Sequence, residues 1–142
     1  VGWLKESSVS LRFFGDDLDP QEVTDALGAD PSISASKGEA WTTSAGAEKI
    51  AHTGMWRLQS ERRLPGDADA QVVDLLGSLS DELAVWERLA SRFEADLFCG
   101  LWLDGFNSGQ PFSLSTLRLI ADRHLTLDLD IYGDPDLEAD QS

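Results

Sequence analysis

The stretch GDDLDPQEV, residues 15–23, sets Asp16, Asp17, Asp19 and Glu22 within seven positions, directly behind the apolar run VSLRFF. Carboxylates grouped this closely suit a hard cation such as Mg²⁺ or Ca²⁺, an acidic recognition surface, or the first turn of a helix. The helix accounts for most of them. Asp19 is placed to cap it, and Pro20 to occupy the first helical position, where its missing N–H would have had no partner. Glu22 stands three residues after the cap, as a capping box requires. Asp16 and Asp17 are then surplus carboxylates at a strand end. A calcium loop of the helix-loop-helix kind needs regularly spaced oxygen ligands and a closing bidentate Glu, and this stretch has neither. No metal ion and no cofactor is expected here.

A second acidic set lies in LTLDLDIYG, residues 125–133. At the two-residue period of a strand, Asp128, Asp130 and Tyr132 share one face, opposite Leu127, Leu129 and Ile131. Beside Asp104, from ADLFCGLWLDG, they would form paired carboxylates able to act as acid and base or to hold a cation. Beside Arg12 they would form an ordinary cross-strand ion pair. The spacing leaves both pairings open.

No other residue set defines a reaction. Cys99 is the only cysteine, so no internal disulfide forms, and its alternating apolar surroundings read as those of a buried small hydrophobe. His52 and His124 are too far apart in the chain for a local metal pair. His124 follows a helix, and neither histidine has a G-x-S-x-G motif beside it. GFNSG precedes a helix but lacks the Lys-Ser/Thr ending of a phosphate loop. No catalytic residue is assigned. Of the five tryptophans, Trp56, Trp86 and Trp102 fall in regular elements, whereas Trp41 falls in a polar loop with Lys49 and reads as a contact residue.

The elements that must position these residues follow from periodicity. Residues 8–14 alternate as a first strand, and a helix spans 20–27, with Gly28 ending it. A brief strand near 33–37 precedes a small-residue loop reaching to 53, and 54–60 is a strand. From 69 to 93, apolar positions recur at spacings of three and four as two abutting helices, broken near Gly77 and Ser80. ADLFCGLWLDG, residues 95–105, returns to strand chemistry and leads through a turn-rich loop to a helix over 114–123, with Ser113 as its cap and Phe112 and Leu117 as a staple. The last strand spans 125–132. The order β-α-β-β-α-β-α-β is that of a two-layer α+β fold related to the ferredoxin-like arrangement, with helices packed mainly on one face of a sheet. Residues 1–7 read as a lead-in, 8–133 as a single domain, and 134–142 as an acidic, disordered tail.

Composition bounds the partners. The 142 residues carry 26 Asp and Glu against 11 Lys and Arg, a formal charge of −15. That field opposes phosphate backbones and anionic membranes and steers in basic proteins. No stretch approaches the roughly 20 apolar residues of a bilayer span, and VGWLKESS lacks signal-peptide character, so a cytoplasmic protein is expected.

SLRFFGDDLDPQEVTDALGADP, the later KGE, GMWRLQS and the closing LDLDIYG together resemble the bacterial domain-of-unknown-function family 4279, from about Val9 to Gly133. The resemblance implies a small bacterial α+β domain and supplies no catalytic residue, cofactor or substrate. The expectation is a non-enzymatic protein-interaction module with an acidic surface, of immunity-protein or inhibitor type. Its candidate binding residues are Trp41, Asp16, Asp17, Asp104, Asp128, Asp130 and Tyr132. The alternative is a small enzyme or ligand-binding protein using the clustered carboxylates, with a divalent cation.

Overall fold

The computed structural model describes residues 3–136. Along the chain run β1 (Glu6–Gly15), α1 (Pro20–Leu27), β2 (Ile33–Ala35), β3 (Ala40–Thr42), β4 (Glu48–Ile50) and β5 (Gly54–Gln59). They are followed by α2 (Ala68–Gly77), α3 (Leu83–Arg92), β6 (Glu94–Trp102), α4 (Leu114–Asp122) and β7 (Thr126–Tyr132). The protein is thus a mixed α+β structure with a five-stranded sheet in the order β2-β5-β1-β6-β7 and a separate β3-β4 ladder.

β1 is central, antiparallel to both β5 and β6, while β7 joins the far side of β6 in parallel. Parallel neighbours need a crossover, and α4 supplies it. Along β1, Val9, Leu11 and Phe13 are fully buried. They meet Trp56 of β5, Leu97 and Cys99 of β6, and Val23, Val72, Trp86, Leu89 and Ile120 of the four helices in one hydrophobic core. Phe13 and Trp56 pack edge to face, centroids 5.9 Å apart at 70°. Each buried indole also satisfies its N–H, Trp56 donating to Thr24 Oγ1 at 3.1 Å and Trp86 to the Ser80 carbonyl at 2.7 Å.

Local sequence sets the helix ends. Asp19 Oδ1 accepts from the Gln21 N–H at 3.1 Å, and Gly28 closes α1 in the left-handed region at φ 80°. Glu22 does not complete a capping box; its carboxylate pairs with Arg92, the last residue of α3, tying α1 to α3 instead. Ser113 Oγ accepts from the Thr116 N–H at 3.2 Å at the start of α4. In the proposed staple, Phe112 packs on the core but Leu117 stays exposed.

Three expectations change. The stretch read as loop between 37 and 53 contains the β3-β4 hairpin, with Trp41 opposite Lys49 and the Ala51 N–H donating to the Glu39 carbonyl at 2.8 Å. Its three-residue strands are too short to show alternation. The lead-in is part of the fold: Leu4 is buried at 2% exposure and bridges Gly66, and Ser7 is also buried. Within the tail, Asp134 accepts from the Gly105 N–H at 2.7 Å, while residues 137–142 lie outside the described residues.

A buried polar knot holds the lead-in to α2. Gln71 Nε2 donates to the Ser7 carbonyl at 3.1 Å and the Glu61 carbonyl at 2.8 Å. The Ser7 hydroxyl donates to Gln71 Oε1 at 2.5 Å and accepts from the Asp67 N–H at 2.9 Å.

Candidate functional site on the second face of the sheet

Side chains of the parity opposite to Val9, Leu11 and Phe13 form the second face of the sheet. Its rows follow from the register. One row runs Arg57, Arg12, Asp96, Thr126; the next runs Gln59, Ser10, Phe98, Asp128; then come Ser8, Gly100, Asp130; and last Glu6, Trp102, Tyr132. A core-facing row would be apolar, and these rows mix charge with aromatic rings.

Arg12 organises the middle. Its Nε donates to Asp96 Oδ1 at 2.8 Å and its Nη2 to Asp96 Oδ2 at 2.7 Å, a bidentate fork. Asp128 Oδ2 lies 3.6 Å from the same Nη2, and the guanidinium sits 4.3 Å from the Phe98 ring centroid. The bond to Asp96 raises the Arg12 pKa further, against the cost of burial. Of the two pairings left open for Asp128, the structure has the ion pair with Arg12. Arg57, directly across from Arg12, has no ion pair or side-chain hydrogen bond among the described residues. Burial, and then repulsion from Arg12, lowers its pKa.

The β6-β7 end is aromatic and acidic. Trp102 stacks on Tyr132, and the Arg62 guanidinium lies 5.0 Å from the Trp102 centroid while pairing with Glu6 at 3.3 Å. The indole folds back over Gly100, where an added Cβ would stand 2.9 Å from ring carbons. Only glycine leaves that space. The Tyr132 hydroxyl donates to Asp130, which raises the Tyr132 pKa.

The sequence candidates fall in three places. Asp128, Asp130 and Tyr132 share the second face. Asp16 and Asp17 follow the Gly15 end of β1, whereas Asp104 follows β6, whose end pairs with the opposite, Glu6 end of β1. A ten-residue strand is about 30 Å long, so these carboxylates cannot share one site. Asp16 pairs with Lys37 at 3.2 Å, and its carboxyl is held below the usual range by a Thr53 hydrogen bond and then by Lys37. Among the described residues no group of three His, Cys, Asp or Glu is arranged to hold a metal ion. Cys99 is buried, and burial first, then Asp128 and Asp96, pushes its thiol up to about 12, so it is no nucleophile at neutral pH.

Trp41 lies elsewhere, packed with Phe14 and Ile33 on a small satellite cluster of Ala35, Ala51 and Met55. Between hairpin and sheet is a pocket of about 560 Å³ whose lining includes Phe14, Trp41, Lys49, Ile50 and Met55.

Sequence reasoning missed Asp96, Arg57 and Phe98. Asp96 and Phe98 alternate with Leu97 and Cys99, so their shared face was readable. Their partners required the register.

The chain belongs to the family described as Domain of unknown function (DUF4279), which matches residues 5–134. No curated protein and no solved structure matches the chain. No helix among the described residues is long and apolar enough to cross a membrane.

Proposed function

We propose that the protein is a non-enzymatic interaction module that binds a basic protein partner through the β6-β7 half of its second sheet face. The reading takes the fold as ferredoxin-like: strands β2, β5, β1 and β6 stand in that arrangement's order, with β7 added outside β6. In such a fold the helices cover one face and leave the other for recognition.

The observation that carries the reading is the surface itself. Asp128 and Asp130 stand beside the Trp102-Tyr132 stack on a half-exposed face, in a chain of charge −15. Aromatic anchors flanked by carboxylates suit a cationic partner, with the long-range field raising its encounter rate. Catalysis gains no comparable support, since Asp16 and Asp17 stand at the end of β1 opposite to Asp104, and Asp128 lies against Arg12.

Affinity capture from lysate of the source cell tests this, using the wild type and an Asp128→Lys/Asp130→Lys variant side by side. A basic protein retained by the wild type and lost from the variant is the expected result. Equal capture by both overturns the assignment to this face.

A second reading rests on the pocket beside Trp41, whose apolar walls and Lys49 suit a small ligand with an apolar body and an anionic group. A shift of tryptophan fluorescence on adding an aromatic carboxylate, absent in Trp41→Phe, would favour it.

A further inference from the structure

β7 ends the sheet, and its outer side faces no other strand among the described residues. The Leu103 N–H donates to the Tyr132 carbonyl at 3.0 Å, so Tyr132 turns its main-chain groups toward β6. In a parallel pair successive residues alternate, so Thr126, Asp128 and Asp130 do the same. Leu127, Leu129 and Ile131 therefore present their N–H and C=O groups to the free edge.

Edges of this length are normally blunted by charged side chains, lysine above all, by proline or by a bulge, and on β7 the only charges are Asp128 and Asp130, which a basic strand would neutralise. The seven residues TLDLDIY contain no lysine or proline, whereas β2, at the other edge, is only three residues long. Leu129 is 41% exposed and Ile131 58%, although both belong to the apolar side of the strand. On α4, which packs against β7, Leu114 and Leu117 are exposed as well.

Resting on the interaction-module reading, we propose that the edge of β7 takes up an extended segment of the partner as an added strand, alternating basic and apolar residues. Its basic side chains lie beside Asp128 and Asp130 on the second face, and its apolar ones beside Leu129 and Ile131 on the other. Main-chain bonds to residues 127, 129 and 131 supply affinity, and the alternation supplies specificity. A second copy of the chain fits poorly. Antiparallel pairing of β7 with itself brings the Asp128 and Asp130 carboxylates of the two copies together, and like charges across strands are destabilising.

The probe is a short synthetic peptide alternating lysine and valine, with a glutamate-valine peptide as control, and amide hydrogen exchange is read by NMR. The lysine peptide slows exchange at Leu127, Leu129 and Ile131 about tenfold or more, and the control does not. Ile131→Pro, which removes one outward N–H, abolishes that protection, as does Leu129→Lys, a substitution at an exposed side chain that preserves the fold. Binding without protection of these amides overturns strand addition and leaves the acidic-face reading standing. No binding of the lysine peptide at low salt, or peptide-free self-association that Ile131→Pro removes, also overturns it; the acidic-face reading is then judged by its own capture experiment.

Discussion

Trp102 and Tyr132 stand opposite each other on β6 and β7 with ring centroids 4.8 Å apart and planes 11° from parallel. The stack joins the last two strands of the sheet, next to Asp130 and Glu6 on the second face. It also connects to Asp130 through the Tyr132 hydroxyl, so one ring pair reports on the packing and the charge of the proposed interface together.

Tyr132 is the only tyrosine, so near-ultraviolet absorbance follows its ionisation alone. The Asp130 hydrogen bond first, and burial next, raise its pKa above the ordinary value of about 10. With the folded value raised, the stabilisation is complete below the unfolded pKa and is lost as pH rises through the folded one. Asp130→Ala is expected to move the absorbance midpoint back toward about 10. An unchanged midpoint would show that Asp130 does not hold the phenol.

Asp19 caps α1, and Asp19→Ala is expected to lower stability by about 1 kcal/mol in urea unfolding. Asp16→Asn is expected to cost less, because both Asp16 and its Lys37 partner are largely exposed. A larger loss at Asp16 would mean that this acidic stretch is more than a helix start.

Gln71 is expected to be among the more sensitive polar positions. Gln71→Leu leaves the buried Ser7 hydroxyl without an acceptor and the Ser7 carbonyl with the Arg63 N–H alone, a loss of about 1 to 3 kcal/mol. Denaturant unfolding reads the difference directly, and a neutral result would show that the lead-in is not held by this knot.

What could be read in advance depended on range. α1 was legible to its last residue because Asp19, Pro20 and Gly28 act on their own neighbours. β7 was legible because alternation declares a strand wherever it pairs. The β3-β4 hairpin was not, since three-residue strands carry no period, and Trp41 owes its place to Met55 and Ala51, which a local reading does not connect to it. The Arg12-Asp96 fork depends on the β1-β6 register, a tertiary property, so Arg12 was offered to Asp128 while Asp96, which holds the closer bidentate place, was missed. Gln71 left a usable signal: it precedes Leu75 by four positions on the buried stripe of α2, where a polar residue asks for a partner.

The most direct test of the central claim is hydrogen-exchange mass spectrometry of the protein with and without the captured partner. The account predicts slowed exchange in peptides covering residues 94–102 and 126–132, with α1 and α3 unchanged. Protection confined to the helices or to the β3-β4 hairpin, with β6 and β7 unaffected, would contradict it.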